Sequence, residues 1–386
     1  MKKYLPLFLS ALLLLTLFAG CGHGGPGADP VSGTLSPEEA EAFGNAIESG
    51  MQSLENALGG NGSIDDALNS FGESLNEALN NISSKNSGGL NVAIIKQMDH
   101  ASLDEIANAI EAELDAIAGR EGITIKYNTT SGQGDQTILK QLGDQAIADK
   151  VDVIIPIATT AALVSATCAE DSQTPVVYAA VSDPAAAGLT GIPYVTGVSD
   201  GLNTNFIMDM MLAQNPGVRK VGLLYSLSEI NSETPIKEAK AYLDKKGIAY
   251  TEQTANTNDE VVAAATALIA EKVDAIFTPT DNVIMSAELA IYEDLAAAGI
   301  PHYTGADSFV RNGAFATCGV NYTDLGARTA DLAVQAVAGG LDALADYYLM
   351  DGGIITVNTE TAAALGVDYS MFADLGELVE VTTTPD

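Results

Sequence analysis

The sequence predicts an α/β protein built as two doubly wound parallel-sheet lobes with a hinged cleft between them. Apolar, strand-like runs alternate with helical patterns from residue 90 onward, which is typical of parallel sheets. The stretch KVDVIIPIATTAALVSA at 150–166 nearly recurs as KVDAIFTPTDNVIMSA at 272–287, so the chain repeats a strand, a loop and a helix. With 386 residues, of which 47% are hydrophobic, the chain is long enough to fill two cores.

The elements on either side of this stretch also occur in pairs. A strand in the first half of the chain has a counterpart of similar sequence in the second half, and the first strand of each half precedes a long helical pattern (103–118 and 234–246). The other paired strands are 90–95 with 220–225, 122–127 with 247–251, and 174–183 with 300–307. These pairs predict two βαβαβαβ units in tandem. Because crossover connections are right-handed, each unit should form an open doubly wound sheet.

The tail after Asp307 does not repeat in the sequence. It reads as a strand (314–320), a helix (324–338) and an extended piece (353–357). We expect the strand and the helix to return to the first lobe and the last piece to the second, which requires three crossings and leaves a hinged cleft. The lobes would then comprise 90–196 plus 308–345 for lobe one and 197–307 plus 346–386 for lobe two.

Residues 1–21 are expected to form a lipoprotein signal peptide. Lys2 and Lys3 precede an apolar run at 5–17, which is short for a membrane span. The run ends in Phe-Ala-Gly-Cys, which resembles the bacterial lipobox, so Cys21 would be lipidated. The alternative is an ordinary secretory signal cleaved nearby. On the first interpretation the protein is exported and lipid-anchored to the outer face of the bacterial cytoplasmic membrane.

Residues 22–89 are expected to form an acidic, partly helical stalk. They contain a single basic residue, Lys85, and no strand pattern. The sequence SPEE at 36–39 is a helix-start pattern, and Ser63 caps a second helical pattern after a glycine-rich break. The alternative is a helical hairpin that docks on a partner or on the rest of the chain.

Composition argues against several partners and cofactors. The formal net charge is −34, so no basic patch is available to neutralise the phosphates of nucleic acid. Three histidines and three cysteines leave few ligands for a transition metal, and we expect no metal and no cofactor. Cys168 and Cys318 lie in apolar runs, where buried thiols are commoner than a disulfide, although an exported protein permits one.

Catalytic motifs are also missing. No GxGxxG opens a helix after the first strand, and no Walker A or GxSxG motif occurs. Gly132-Gln133-Gly134 follows the second strand and lacks the third glycine. Neither His100 nor His302 has a nucleophile loop that would complete a Ser-His-Asp arrangement. We therefore expect that the protein is not an enzyme.

The strand-to-helix loops nominate a ligand site in the cleft. Ligands of open α/β sheets bind beyond the carboxyl ends of the strands. The residues nominated from the first lobe are Gln97, His100, Thr159, Thr160, Ser182 and Asp183. Those nominated from the second lobe are Tyr225, Asp281, Asn282 and Asp307.

The chemistry of these loops suits a zwitterion. Thr159 and Thr160 at a helix start offer hydroxyl and backbone N–H donors to a carboxylate. Asp281 and Asp307 have no basic residue beside them in sequence, and an acid that faces a cleft suits an ammonium. An anion-accepting loop opposite two acids is what an α-amino acid requires.

Each nominated residue also has a structural interpretation. Thr159, Thr160 and Asp281 are good helix N-caps, Asp183 before a proline sets a turn, and His100 is equally well a surface or supporting residue. Four aromatic residues near strand ends are candidates to hold an apolar ligand group, although core packing takes most aromatics in such places. They are Tyr178, Tyr225, Tyr303 and Phe309.

The ordered motifs resemble those of the ABC-transporter substrate-binding lipoproteins of the tryptophan/tyrosine type. The resemblance covers about residues 90–375 and departs from the family at Ala101 and Thr160, where proline is common, and at 306–308. It implies a type I periplasmic-binding-protein fold and capture of an amino acid, often aromatic, for delivery to a membrane permease. The motifs are QMDHASLD at 97–104, QGD at 133–135, ATTAA at 158–162, VSDP at 181–184, TGVSD at 196–200, LYS at 224–226 with Glu229, Asn231 and Ser232, and PTDN at 279–282.

We therefore expect an extracytoplasmic, lipid-anchored, monomeric receptor of an ABC importer. It would close its lobes over one amino acid with an aromatic or other apolar side chain and present the closed form to the ABC permease. Two alternatives remain at this stage. The first is a binding protein for another small ligand, such as a nucleoside or a sugar, because fold alone does not choose the ligand. The second is a ligand-sensing lipoprotein not coupled to transport.

Overall fold

The computed structural model describes residues 89–384. The predicted signal peptide, its lipidation site Cys21 and the predicted stalk up to residue 88 lie outside the described residues. None of the helices within 89–384 combines the length and the apolar composition that a membrane span requires. These residues form an α/β structure with two mainly parallel sheets, which confirms the predicted fold class.

The first lobe is a six-stranded parallel sheet flanked by helices. All residues of its two central strands, β3 (Val153–Ile157) and β4 (Val176–Ala179), are buried, as expected for strands that are covered on both faces. In spatial order the strands are β11 (Tyr348–Leu349), β5 (Val195–Ser199), β4 (Val176–Ala179), β3 (Val153–Ile157), β1 (Leu90–Lys96) and β2 (Ile125–Ser131). The connecting helices are α1 (Ala101–Glu121), α2 (Gln136–Ala148) and α3 (Thr159–Ala169).

The second lobe is a seven-stranded sheet, parallel except where β10 (Ala316–Gly319) pairs with β12 (Ile354–Asn358). In spatial order its strands are β13 (Glu377–Val381), β12 (Ile354–Asn358), β10 (Ala316–Gly319), β9 (His302–Thr304), β8 (Ala275–Thr278), β6 (Lys220–Tyr225) and β7 (Ala249–Thr254). Its helices are α4 (Thr204–Gln214), α5 (Glu233–Lys246), α6 (Asn258–Ala270), α7 (Asn282–Ala297), α8 (Asp307–Arg311) and α10 (Thr359–Leu365), with 3₁₀ turns at Ile230–Ser232 and Ser370–Asp374.

The internal repeat extends one strand further than the sequence predicts. The strand order β2-β1-β3-β4-β5 of the first lobe matches β7-β6-β8-β9-β10 of the second. The fifth strand of each lobe leads into a helix that packs on the other lobe: α4 lies against α5, and α9 (Tyr322–Gly339) lies against α1. The lobes thus exchange a helix, and the chain crosses between them three times, as predicted.

Three predicted lobe boundaries are wrong. Of residues 308–345, only α9 and the segment after it join the first lobe, because β10 pairs with β9 and β12 and carries lobe two to Gly319. Strand β5 extends the first stretch of lobe one to Ser199, and β11 pairs with β5, which extends its second stretch to Leu349. A four-residue buried strand carries no local mark of the sheet it joins, so the sequence assigned β10 together with the helix that follows it.

The two remaining cysteines do not pair. Cys168 lies in α3 of the first lobe and Cys318 in β10 of the second, and both are free. Burial raises the pKa of each thiol to about 11. Both thiols therefore stay protonated at neutral pH and act as small apolar groups.

Helix α9 lies close to α1 because Gly326 faces that helix. A Cβ atom at this position would lie 2.6 Å from the Cβ of Ala109 and 2.7 Å from the carbonyl oxygen of Ile106. Gly339, at the far end of the same helix, has no atom within 4 Å of its Cβ position. The absence of a side chain at Gly326 therefore sets the spacing of the two helices.

We expect Gly326→Leu to lower the free energy of unfolding by about 3 kcal/mol, because the added side chain overpacks the α1–α9 contact. Gly339→Leu is the matched control, and it should leave stability unchanged or raise it by up to about 1 kcal/mol through helix propensity. Urea unfolding of both variants measures the difference. Equal stability of the two variants would contradict the close packing at Gly326.

Candidate ligand site

The carboxyl ends of the parallel strands of both sheets face one another across a cavity. The space between them measures about 350 Å³, open solvent at its mouth included. Loops after β1, β3, β4 and β5 line it from one side, and loops after β6, β8, β9 and β10 from the other. The lining residues are His100, Ser102, Leu103, Ala158, Thr159, Ala180, Ser182, Asp200, Asn231, Thr280, Asp281, Asn282, Met285, Ala306, Phe309 and Tyr322.

Half of the residues nominated from the sequence line this cavity. These five are His100, Thr159, Ser182, Asp281 and Asn282. Gln97 and Thr160 lie directly behind the wall, where the backbone N–H of Thr160 donates to Gln97 Oε1 over 3.1 Å. Parallel-sheet topology thus brings the predicted loops together.

Two nominated acids instead lie outside the cavity lining. Asp183 Oδ2 accepts a hydrogen bond of 2.8 Å from Thr234 Oγ1 of the other lobe. Asp307 pairs with Arg311 one helical turn later, and Arg311 also reaches Glu105 of α1 at 3.4 Å. The ammonium role predicted for Asp307 overlooked this guanidinium, which already neutralises the carboxylate.

Of the four aromatic candidates, only Phe309 lines the cavity. Tyr178 and Tyr303 are fully buried side chains within the lobe cores. The Tyr225 hydroxyl donates to Glu252 on the neighbouring strand β7 over 2.7 Å. Core packing and sheet edges therefore account for three of the four, as the structural alternative expected.

Phe309 belongs to an apolar section of the wall. It is fully buried and lies in one continuous hydrophobic cluster with Leu103 of α1, Met285 of α7 and Ala306. All four residues also line the cavity. This section offers an uncharged, polarisable surface to an apolar ligand group.

A chain of hydrogen bonds at and directly behind the cavity wall joins the lobes. Gln97 Nε2 of the first lobe donates to Glu229 Oε1 of the second over 2.7 Å. Asn282 Nδ2 donates to Glu229 Oε2 over 2.7 Å, and Asn282 Oδ1 lies 3.0 Å from His100 Nε2 of the first lobe. Glu229 thus receives one donor from each lobe, and Asn282 passes the connection back to His100.

Three buried carboxylates surround the cavity without a basic counterpart in its lining. Burial, with the charge of Asp281 second, raises the pKa of Glu229 to about 7. Burial also raises the pKa of Asp281 and of Asp200, and it lowers the pKa of His100 to about 4. No lysine or arginine is among the lining residues of the described chain, and no group of three or more His, Cys, Asp or Glu within 89–384 is arranged to hold a metal. The site is therefore electronegative.

The carboxylate of Asp281 is already occupied by its own lobe. Oδ2 accepts from the backbone N–H of Ser226 and from Ser232 Oγ, both at 2.7 Å, and Oδ1 accepts from the backbone N–H of Ile284 at 3.0 Å. The last bond is the N-cap of α7. Asp281 thus fulfils the cap interpretation and fixes the loop after β6 against the loop after β8.

Asp200 is a cavity residue that the sequence reasoning missed. Its Oδ1 accepts from Ser182 Oγ at 2.9 Å and its Oδ2 from the Tyr322 hydroxyl at 3.2 Å. Thr280 Oγ1 of the second lobe lies 2.9 Å from Ser182 Oγ, so a hydroxyl chain connects that lobe to Asp200. The signal was present, because Asp200 ends the TGVSD motif at 196–200, but the sequence analysis did not nominate it as a site residue.

Two further polar residues of the site belong to a family-like motif in the sequence but were not predicted to be site residues. Glu229 lies behind the cavity wall, and Asn231 lines it and donates from Nδ2 to the Thr280 carbonyl over 2.6 Å. Both follow β6 on the long loop before α5. Their inward position depends on the 3₁₀ turn at Ile230–Ser232, which no periodicity in the sequence indicates.

Three buried polar atoms of the lining have no partner within the protein. They are Thr159 Oγ1, His100 Nδ1 and Asn231 Oδ1. Thr159 is only 2% exposed and begins α3, whose N-cap residue Ala158 makes no side-chain cap bond. Because an unpaired buried polar atom costs free energy, these three atoms mark where a ligand would complete the hydrogen bonding.

The turn that presents Thr159 is strained. Ala158 has φ 79° and ψ 163°, a region that glycine occupies readily and other residues avoid. Its backbone N–H donates to the carbonyl of Ala179 over 3.0 Å, which holds this conformation between β3 and α3. Strain of this kind persists where the surroundings impose it, and here it aims the start of α3 at the cavity.

Comparison with known proteins finds a matching family model and similar proteins of known structure. The sequence model of the family described as ABC transporter substrate binding protein matches residues 91–372. A tyrosine-binding protein from Clostridioides difficile is 28% identical over 280 residues, which cover 71% of this chain and 80% of that protein.

Two solved structures add information on conformation. The ABC domain from Streptococcus pneumoniae in complex with L-Trp is 29% identical, with a TM-score of 0.70 over 76% of this chain and 100% of that chain. The ligand-free, open structure of a substrate-binding protein with adhesive properties from Clostridium difficile is 26% identical, with a TM-score of 0.58 over the same shares. The described residues are therefore more similar to the Trp complex than to the open structure.

We expect Ala158→Gly to raise the free energy of unfolding by about 1 kcal/mol, because relief of the strained φ exceeds the added chain entropy of glycine. Ala161→Gly, three residues later within α3, should lower it by about 1 kcal/mol, because a regular helical position gains nothing from glycine. Thermal unfolding of both variants shows whether each substitution raises or lowers the free energy of unfolding. A loss of stability in Ala158→Gly would show that the turn is unstrained.

We expect Glu229 to lower the free energy of unfolding as the pH rises from about 5 to 8, whereas His100, whose pKa burial lowers from 6.5 to about 4, raises it up to about pH 6.5. The pKa of Glu229 is about 7 in the folded protein against an ordinary value of 4.5, so the folded state keeps a proton that the unfolded chain releases in this window. Glu229→Gln should remove this contribution, so its free energy of unfolding should fall by about 1–3 kcal/mol less than that of the wild type over the same pH range. Urea unfolding across this range measures it, with Glu238→Gln, exposed on α5, as the control that keeps the wild-type slope. An unchanged slope in Glu229→Gln would contradict the buried position of this carboxyl group.

Proposed function

This chain belongs to the family of ABC transporter substrate-binding proteins, and we propose that it binds one α-amino acid with an aromatic or other apolar side chain in the cavity between its lobes. The observation that carries the proposal is that Asp200 and Thr159 at the start of α3 line the same cavity. A substrate-binding protein holds and releases its ligand without covalent chemistry, which agrees with the expectation that the chain is not an enzyme.

Asp200 is the residue that we assign to the ligand ammonium. A carboxylate has about four lone-pair positions, and the side chains of Ser182 and Tyr322 use two of those on Asp200. Asp200 lines the cavity, whereas Asp281 has its oxygens bonded to the protein and Glu229 lies behind the wall. Because burial penalises the ionised form of Asp200, an ammonium that enters the cavity restores its charge and gains a strong hydrogen bond.

The start of α3 is the group that we assign to the ligand carboxylate. Thr159 Oγ1 is buried and has no partner in the protein, and the helix N-terminus favours an anion. The backbone N–H of Thr160 is already bonded to Gln97 and supports the wall. Thr159 therefore contacts the ligand in this proposal, whereas Thr160 stabilises the loop.

The side-chain pocket is the apolar section formed by Leu103, Met285 and Phe309. These residues supply the contact surface that an aromatic side chain needs, and two relatives point the same way. One is named a tyrosine-binding protein and another was solved with L-Trp. Both ligands combine a zwitterion with an aromatic ring, which matches the division of the cavity wall into polar and apolar sections.

Binding and closure are coupled in this proposal. The bonds from Gln97 to Glu229, from His100 to Asn282 and from Ser182 to Thr280 all join the two lobes, and each lies at or directly behind the wall of the cavity. A ligand that bridges Asp200 and Thr159 to the apolar residues of the other lobe binds the closed form better than the open form. Its differential affinity shifts the hinge equilibrium toward closure.

We further propose that Cys21 carries the lipid anchor and that the closed form docks on an ABC permease outside the cytoplasm. Membership of the family supports the transport context. The basic, apolar and lipobox-like segments of residues 1–21 support the anchor. Globomycin treatment of expressing bacteria tests the anchor: an anchored protein accumulates as an unprocessed precursor, whereas an ordinary secretory protein is processed normally.

We expect Asp200→Asn and Thr159→Val each to weaken binding of L-tryptophan or L-tyrosine by about 10- to 100-fold. Each substitution keeps the shape of the side chain and removes one bond to a charged ligand group, which is worth about 1.5–3 kcal/mol. Isothermal titration calorimetry measures the dissociation constants.

The matched controls are Asp144→Asn on α2 and Thr167→Val at the far end of α3, both exposed. They should bind as the wild type does. Unchanged affinity in Asp200→Asn and Thr159→Val, with a ligand that the wild type does bind, would refute these two assignments.

A further inference from the structure

The direction of the hydrogen bonds behind the cavity fixes the orientation of Gln97. The Thr160 backbone N–H is a donor only, so the atom of Gln97 that it meets is the oxygen Oε1. The Gln97 amide group therefore points Nε2 at Glu229 Oε1 and donates to it. An ionised Glu229 then accepts at both oxygens, and the second donor is Nδ2 of Asn282.

The same chain determines the tautomer of His100. Since Asn282 uses Nδ2 on Glu229, it turns Oδ1 toward His100, and Oδ1 is an acceptor. His100 Nε2 must therefore carry the hydrogen, and burial keeps the ring neutral. A neutral imidazole with its hydrogen on Nε2 has a bare lone pair on Nδ1. His100 Nδ1 is a buried atom without a partner, in a residue that lines the cavity.

His100 lies beside the apolar section of the wall. Leu103 of α1 lies three residues after His100, and Met285 of α7 lies three residues after Asn282. Residues three apart at a helix start are neighbours on one face, so an apolar residue lies next to each partner of the His100–Asn282 hydrogen bond. The assigned ammonium partner, Asp200, instead joins Ser182 and Tyr322. The acceptor on His100 therefore belongs to the section that receives the ligand side chain.

We propose that His100 selects ligands whose aromatic side chain carries an N–H or O–H donor, as an indole or a phenol does, and rejects the otherwise similar phenyl ring. This inference rests on the proposed function, because it assumes that an amino acid occupies the cavity. A phenyl ring in the same place leaves Nδ1 without a partner in a closed site. Sites built to hydrogen-bond a ligand donor reject the analogue without it far more strongly than apolar pockets reject a missing methylene.

Two substitutions distinguish the roles of the two ring nitrogens of His100. Gln places its amide group near the position of Nε2, so His100→Gln keeps a donor for Asn282 and removes the acceptor at Nδ1. Asn places its amide group near the position of Nδ1, so His100→Asn keeps an acceptor there and loses the donor to Asn282. The pair therefore distinguishes ligand selection from support of the closed form.

The experiment titrates L-tryptophan, L-tyrosine and L-phenylalanine calorimetrically into the full chain and both variants at about pH 8, where Glu229 is ionised. The wild type should bind tryptophan or tyrosine at least about 100-fold more tightly than phenylalanine. In His100→Gln this ratio should fall below about tenfold because the preferred ligand weakens, whereas His100→Asn should retain most of the ratio while binding all three more weakly.

Equal affinity of the wild type for phenylalanine and the preferred ligand would overturn the role of His100 and leave amino-acid binding intact. A uniform loss in His100→Gln, with the ratio unchanged, would also overturn it, since Nδ1 would then serve the ammonium or the fold. Binding of none of the three would refute this inference together with the proposed aromatic ligand. If His100→Gln fails to fold, the wild-type ratio and the response of His100→Asn still decide the matter.

Discussion

The cleft depends on one electrostatic constraint: three carboxyl groups are buried around a single cavity. No lysine or arginine is among the described residues that line this cavity. Buried carboxylates need compensation, and each of the three receives it differently. Glu229 accepts one amide from each lobe, and Asp281 accepts donors of its own lobe. Asp200 retains unused lone pairs and lines the cavity. The proposed ligand ammonium is the cation that the closed site otherwise lacks.

The repeated architecture explains how the closed form is assembled. Each lobe has the same order of five strands, and each gives up the helix after its fifth strand to the other lobe. The chain crosses between the lobes three times, which is the connectivity of a hinged pair of lobes. The equivalent loops after β3 and β8 have diverged within this frame. Thr159 presents a free hydroxyl to the cavity, whereas Asp281 binds the loop after β6 and caps its own helix.

Much of this arrangement was predictable from the sequence. The doubled KVD segment predicted paired strands, loops and helices, and parallel topology placed the loops at one end of each sheet, so five nominated residues line the cavity. The failures have physical causes. The strand β10 has only four residues, and the sheet that it joins is decided by pairing with strands distant in sequence. Asp200 and Tyr322, 122 positions apart, meet only through the folded hinge, which no local pattern records. Asp307 has its countercharge one helical turn away.

The most direct test of the account compares ligands that differ by one charged group. Calorimetric titration of the full chain with L-tryptophan, tryptamine and indole-3-propionate, and with the corresponding tyrosine series, separates the ammonium from the carboxylate. The account predicts that one of the two amino acids binds at a ratio of one to one and that loss of either charged group weakens binding by about tenfold or more. An analogue without its ammonium that binds as tightly as the amino acid would contradict the claim that Asp200 and its buried acidic neighbours require a cation.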